Sequence, residues 1–160
     1  MTSPADLLRD YIQRTVAHLP DDLQELADEI GEVVRYPAAE SWELKGPSDT
    51  WAFLSDVGLP KSCPTMIELD ANAQDLGDFV RIGCTNYGDP VCIEKASGAV
   101  VYLEHDGDQR RHQINTSPLT FLGSICAYDK RALQTTRETI RALDPDAIAE
   151  GQWWHNAISS

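Results

Sequence analysis

The sequence predicts an α+β fold, a mainly antiparallel sheet packed against N- and C-terminal helices. Three observations predict it. Apolar residues recur at helical spacing over the first 30 and the last 45 or so residues. Between them, short apolar runs alternate with a period of two. Those runs are cut by Gly- and Asn-containing turns, with no helical stretch between successive strands. The chain has 160 residues, a length that suits one domain with its own core, and residues 1–160 are expected to form one.

The first helix has Ser3 as cap, Pro4 in its first turn and Asp6 three residues after the cap. Leu7, Leu8, Tyr11, Ile12, Val16 and Leu19 share a stripe, and Pro20 ends it. A second helix is expected from Asp21 as cap, with Gln24 at its third position, to a stop at Gly31. Glu32 to Tyr36 has strand-like content. A short helix starts near Ser48 or Asp49, carries Trp51, Leu54 and Val57, and stops at Gly58.

Met66 to Leu69 reads as a short strand, and Phe79, Val80 and Ile82 as a stronger one. Asn86 to Asp89 is a turn, and Pro90 opens the next strand. Ala96-Ser97-Gly98 is expected to be a three-residue hairpin loop closed by Lys95 and Ala99. That register sets Ile93 against Val101 and Val91 against Leu103, all four on one face. After a polar turn from His105 to Asp108, Gln109 to Ile114 returns as a strand. Ser117 caps a helix with Pro118 in its first turn, and the helical pattern continues to Leu143 with a break near Tyr128 to Lys130. A last helix is expected from Asp144-Pro145 through Ile148, Trp154 and Ile158.

Composition bounds the function. Twenty-six acids against 13 Lys and Arg give a net charge of −13. Nucleic-acid binding is disfavoured, because phosphates must be met by clustered cations. A basic protein partner would instead be steered in. No apolar run is long enough to span a bilayer, and the N-terminal residues show no basic, apolar signal pattern, so a cytoplasmic protein without membrane contact is expected.

No Gly-rich phosphate loop and no GxSxG elbow is present. Cys84, Cys92, His105 and His112 offer a zinc-like ligand set. Their gaps of seven, twelve and six residues differ from the paired spacing of zinc modules, so neither metal nor cofactor is expected. Cys–His pairs for nucleophilic catalysis are too numerous in a chain with four of each to single one out.

The acids cluster at Asp21 to Glu32, at Glu68, Asp70, Asp75 and Asp78, and at Glu104, Asp106 and Asp108. Solvated helix faces and polar turns explain any one cluster. Glu104, Asp106 and Asp108 at the expected hairpin tip, with Asp75 and Asp78, are the expected partner-binding residues. Aromatic side chains would supply buried anchors.

Several short motifs occur in order over about residues 48–126. They are Phe53-Leu54 and Val57-Gly58-Leu59-Pro60, then Ile82-Gly83, Gly88-Asp89 and Val91-x-Ile93-Glu94, then Ser97-Gly98-x-Val100, Ile114-Asn115-Thr116-Ser117 and Phe121-Leu122. Trp153-Trp154 closes the series. In this pattern the chain resembles the SUKH superfamily, and within it the fourth SUKH family. The resemblance implies an immunity protein of a bacterial polymorphic toxin system. Such a protein binds a cognate toxin, commonly a nuclease, and carries no catalytic residues. It implies a binding protein, not an enzyme. A monomer or weak homodimer is the expected state. A regulatory adaptor of the same fold, binding an endogenous cytosolic protein, is the alternative. The motif residues read as fold determinants: Gly58, Gly88 and Gly98 at bends, Asn115 and Ser117 at a strand-to-helix junction.

Overall fold

The computed structural model describes residues 3–37 and 48–159. Residues 38–47, between the strand-like segment and the helix expected near Ser48, lie outside them. Helix α1 (Pro4–Ala17) is capped by Ser3, whose Oγ accepts from Asp6 N. A 3-10 helix (Asp21–Leu26) and the short α2 (Ala27–Ile30) follow. Strand β1 (Val33–Val34) pairs antiparallel with β2 (Leu59–Pro60) in a small separate sheet, across α3 (Ser48–Asp56).

The main sheet has the order β3 (Ser62–Cys63), β4 (Ile67–Asp75), β5 (Phe79–Cys84), β6 (Pro90–Glu94), β7 (Val100–Leu103) and β8 (Arg111–Asn115), and every neighbouring pair is antiparallel. Three helices close the chain: α4 (Pro118–Ala127), α5 (Leu133–Leu143) and, after a 3-10 turn (Pro145–Ile148), α6 (Trp153–Ser159). The fold is α+β, as expected from the alternation in the middle and helical spacing at the ends.

One core spans the helices and one face of the main sheet. It holds Leu8, Tyr36, Trp51, Leu54, Val80, Ile82, Val91, Ile93, Val100, Ile114, Phe121, Ile140 and Trp154, all buried. Tyr36 shows how the bends of the sheet are accommodated. Strand pairing shifts within β4 between Leu69 and Gln74, and within β5 between Arg81 and Gly83. Such irregularities leave ladder carbonyls without strand partners. The Tyr36 hydroxyl reaches a carbonyl in each irregular stretch, Asp70 O at 2.6 Å and Ile82 O at 3.1 Å. Gly58 is fixed by a different need: its φ is +87°, and a Cβ there would sit 2.4 Å from Val34 O.

The hairpin of β6 and β7 corrects the expected register. The pairs are Val91 with Tyr102, Cys92 with Val101 and Ile93 with Val100. The loop has four residues, closed by Glu94 N to Ala99 O at 2.9 Å and Gly98 N to Glu94 O at 2.8 Å, with Gly98 at φ +78°. Lys95 does not close it. Its N–H goes to Asp78 O and its Nζ to Asp75 Oδ1, both at 2.9 Å. Val91 and Ile93 therefore face the helices, while Val101 and Leu103 face the other way with Cys92, Ala99 and Phe79. Both faces of the hairpin are apolar, so alternation could not choose between registers one residue apart.

Two helices also differ from expectation. Residues 21–26 wind as a 3-10 helix with no side-chain cap bond, and Gln24 Nε2 donates to Leu19 O at 2.8 Å. That segment buries no residue fully, and Leu26 stays exposed, so little packing favours a regular helix there. The expected last helix is divided at Gly151, whose φ is +85°.

Candidate functional site: an aromatic groove with an acidic rim

Antiparallel order places the turns of the main sheet at two opposite ends. The β4–β5 and β6–β7 turns lie at one end, and the β5–β6 and β7–β8 turns at the other. The five acids singled out from the sequence are therefore not one patch. Asp75 and Asp78 lie at the first end, where Asp75 braces the buried Lys95 and accepts from Gly77 N at 2.9 Å. Glu104, Asp106 and Asp108 lie at the second, in the β7–β8 turn.

The second end carries more than its acids. A groove of about 500 Å³ opens there, walled by Tyr87, Tyr102, Tyr128 and Trp153, with Met66 and Asp89 at its edges. Met66 and Tyr87, 69% and 72% exposed, are the most exposed large apolar side chains among the described residues, and both face this groove. The turn that carries Met66 is held in an unusual conformation. Thr65 and Met66 have φ of +69° and +65°, two consecutive non-glycine residues in the left-handed region. Trp153 steadies it by donating from Nε1 to Thr65 Oγ1 at 3.0 Å.

The remaining wall is tied to the acids. Tyr102 packs edge-on to Trp153, with centroids 5.4 Å apart, and stacks on His112 at 4.8 Å. His112 Nε2 in turn meets Glu104 Oε1. His105 binds Asp89 twice, with its backbone N at 3.0 Å and its ring Nδ1, both on Oδ1, and its Nε2 is 3.3 Å from Asp106. Partial burial alone would raise Asp89, but the two bonds from His105 outweigh it and hold the carboxyl below its usual range. The bond to Asp89, with the charge of Asp106, raises His105 above its ordinary value. Tyr102 is raised by burial and then by the charges of Asp89 and Glu104, so the field of these acids converges on the groove.

Sequence reasoning places Asp89 and Trp153 in fold motifs and gives neither of them, nor Tyr87, Tyr102 or Tyr128, a binding role by number. Only the adjacent pair Trp153-Trp154 carried a usable signal: neighbouring residues on a helix point different ways, so one indole can be core while the other is not. Trp154 is fully buried, and its Nε1 donates to Asn115.

Cys84, Cys92, His105 and His112 are not gathered into one site. Cys92 is fully buried on the sheet face away from the helices, whereas His105 is on an exposed turn. Burial pushes the Cys92 thiol up to about 12 and the Cys126 thiol up to about 11, which disfavours the thiolate that zinc or nucleophilic chemistry needs. Among the described residues no three His, Cys, Asp or Glu side chains are placed to hold one metal ion. Protein purified without chelators is expected to contain below about one-tenth of an equivalent of zinc, since structural sites fill completely. Stoichiometric zinc, with unfolding in chelator, would overturn this.

The chain is thus an α+β protein with an antiparallel sheet, and none of its described helices is long and apolar enough to cross a membrane. A model of the SUKH-4 immunity protein family matches residues 22–130, and the chain belongs to that family. No curated protein and no solved structure matches it. The matched span contains the strands and the acidic turn, while Trp153 of the groove lies beyond it.

Proposed function

We propose that the protein binds a cognate toxin domain, basic and of the nuclease kind, and neutralises it by occupying its cationic surface. The observation that carries this reading is membership of an immunity family joined to a net charge of −13. A nuclease must present cations to phosphate, and a carboxylate-rich surface competes for those cations. Glu104, Asp106 and Asp108 at one end of the sheet, and Asp75 and Asp78 at the other, are the partner-facing acids of this proposal. Rim charges act chiefly on the rate of encounter, while a few rigid anchors hold the complex.

Co-purification with the product of the neighbouring gene, and protection of cells that express it, test the reading. Capture of an endogenous regulatory protein instead would favour the adaptor alternative. With the toxin in hand, the association rate is expected to fall about tenfold or more between low and high salt, the dissociation rate changing less. The triple variant Glu104→Gln, Asp106→Asn, Asp108→Asn should slow association while leaving the melting temperature within a few degrees. Asp106 and Asp108 are exposed in a turn that contributes nothing to the core, and Glu104 is partly exposed. Stopped-flow rates against salt decide it: a salt-independent on-rate would sink electrostatic steering.

A further inference from the structure

We infer that the groove between the Thr65–Met66 turn and α6 is an arginine-accepting pocket, in which a guanidinium of the partner stacks on the aromatic walls and pairs with Asp89. The identity of the partner rests on the toxin-binding reading, but the chemistry of the pocket does not. Tyr87, Tyr102, Tyr128 and Trp153 supply four ring surfaces, and cations are drawn to such faces. Both bonds from His105 land on Asp89 Oδ1, so among the described residues Oδ2 is the oxygen left for an incoming donor. Asn86 and Asn156 also line the groove, and each carries an amide oxygen able to accept.

A planar fork of donors that also stacks is the signature of arginine; an ammonium is a hydrated point charge and gains less from ring faces. The exposed Met66 would cover the aliphatic stem. Charge argues against a second copy as occupant, because each chain carries −13. One side of the groove is set before binding: the strained turn is bonded to Trp153, Trp153 packs on Tyr102, and Tyr102 stacks on His112. Ordering on association then falls chiefly on the exposed Tyr87 and Met66.

The test is a nitrogen–proton NMR titration of the whole chain with the peptide acetyl-Gly-Arg-Leu-Arg-Gly-amide, beside its lysine and citrulline counterparts. Saturable movement of the Trp153 indole N–H and of the Tyr87 and Asp89 amides is expected, strongest with arginine and absent with citrulline. Tyr87→Ala with Asp89→Asn should weaken the arginine peptide about tenfold. Tyr87 is largely exposed and asparagine keeps an acceptor for His105, so the fold should survive, which a melting curve checks. Asp28→Asn with Glu29→Gln, exposed acids outside the groove, should change nothing. The assignment is overturned if Trp153 does not move, if citrulline binds as well as arginine, if the groove variant binds undiminished, or if sedimentation shows the groove occupied by a second copy. Movement of Trp153 by the arginine peptide without capture of any toxin would remove the toxin reading and leave the pocket. Toxin captured undiminished by the groove variant would do the reverse.

Discussion

Val101→Asp is expected to lower stability by about 3–5 kcal/mol, the range for a charge placed in an apolar cluster without a partner. Val101 has no exposed surface and lies among Cys92, Ala99, Leu103 and Phe79, on the sheet face away from the helices. Arg111 reaches across to Glu94 with Nε at 2.7 Å and Nη2 at 3.1 Å, and the pair belongs to the same face by strand alternation. Glu94 already holds Arg111, and Arg81, across from Cys92 on the next strand, donates its Nε to Gly83 O at 3.3 Å, so a carboxylate at 101 would have to draw one of these cations out of its present contacts. The cluster also makes a sharper claim. Val101→Ala should cost about 2 kcal/mol and couple to Leu103→Ala, while adding independently to Ile93→Val across the sheet. Urea midpoints for the singles and doubles measure this. An unchanged midpoint for Val101→Asp would mean the face is not buried, and coupling to Ile93 instead would restore the one-face register.

The same hairpin marks the limit of what the sequence discloses. Gly98 and the strands around it are legible because each follows from local chemistry: a left-handed position, and apolar β-branched runs. The register is not, since Lys95 leaves the ladder for Asp75 and Asp78, residues some twenty positions earlier that no local pattern joins to it. Strand β4 likewise runs on to Asp75 although Asp70, Asn72, Gln74 and Asp75 are poor strand formers; past the irregularity after Leu69, Gln74 pairs with Arg81 and Asp75 with Val80, and the Tyr36 hydroxyl holds Asp70 O within it. The helix caps at Ser3 and Ser117 and the stop at Gly58 were all readable, being local signals. The groove stands at the far extreme. Its walls come from residues 65, 87, 102, 128 and 153, and only the folded sheet brings them together. The acidic turn beside it could be found from charge alone, and His105, His112 and Asp89 could be named from a ligand set and a motif, but the contacts by which they connect the turn to the groove could not be.

Asp144→Ala is expected to cost about 3–4 kcal/mol although Asp144 touches neither groove nor acidic rim. The carboxylate is buried at the end of α5, and its Oδ2 accepts from Asn115 Nδ2 at 3.0 Å, Thr116 N at 2.8 Å and Thr120 Oγ1 at 3.1 Å. Asn115 extends the network, donating to Ser124 Oγ at 3.0 Å and accepting from Trp154 Nε1 at 2.7 Å. One cluster of polar groups therefore joins β8, the start of α4, the end of α5 and α6. It gives the Asn115-Thr116-Ser117 segment its physical meaning: Asn115 fastens the strand end, and Ser117 caps the helix through reciprocal bonds with Thr120. Removing Asp144 leaves Thr116 N and one of the two Asn115 Nδ2 hydrogens without their acceptor, while Thr120 Oγ1 keeps Ser117 O; a buried donor left unpaired costs more than its bond contributes. Asn115→Ala should cost a similar amount by orphaning the Trp154 N–H. Members of one network do not add, so the double variant should be more stable than the sum of the singles implies, by about 1 kcal/mol or more. Equilibrium unfolding in urea for the four proteins of this cycle provides the measurement. Losses that add to within about 0.5 kcal/mol would show two separate sites instead of one junction.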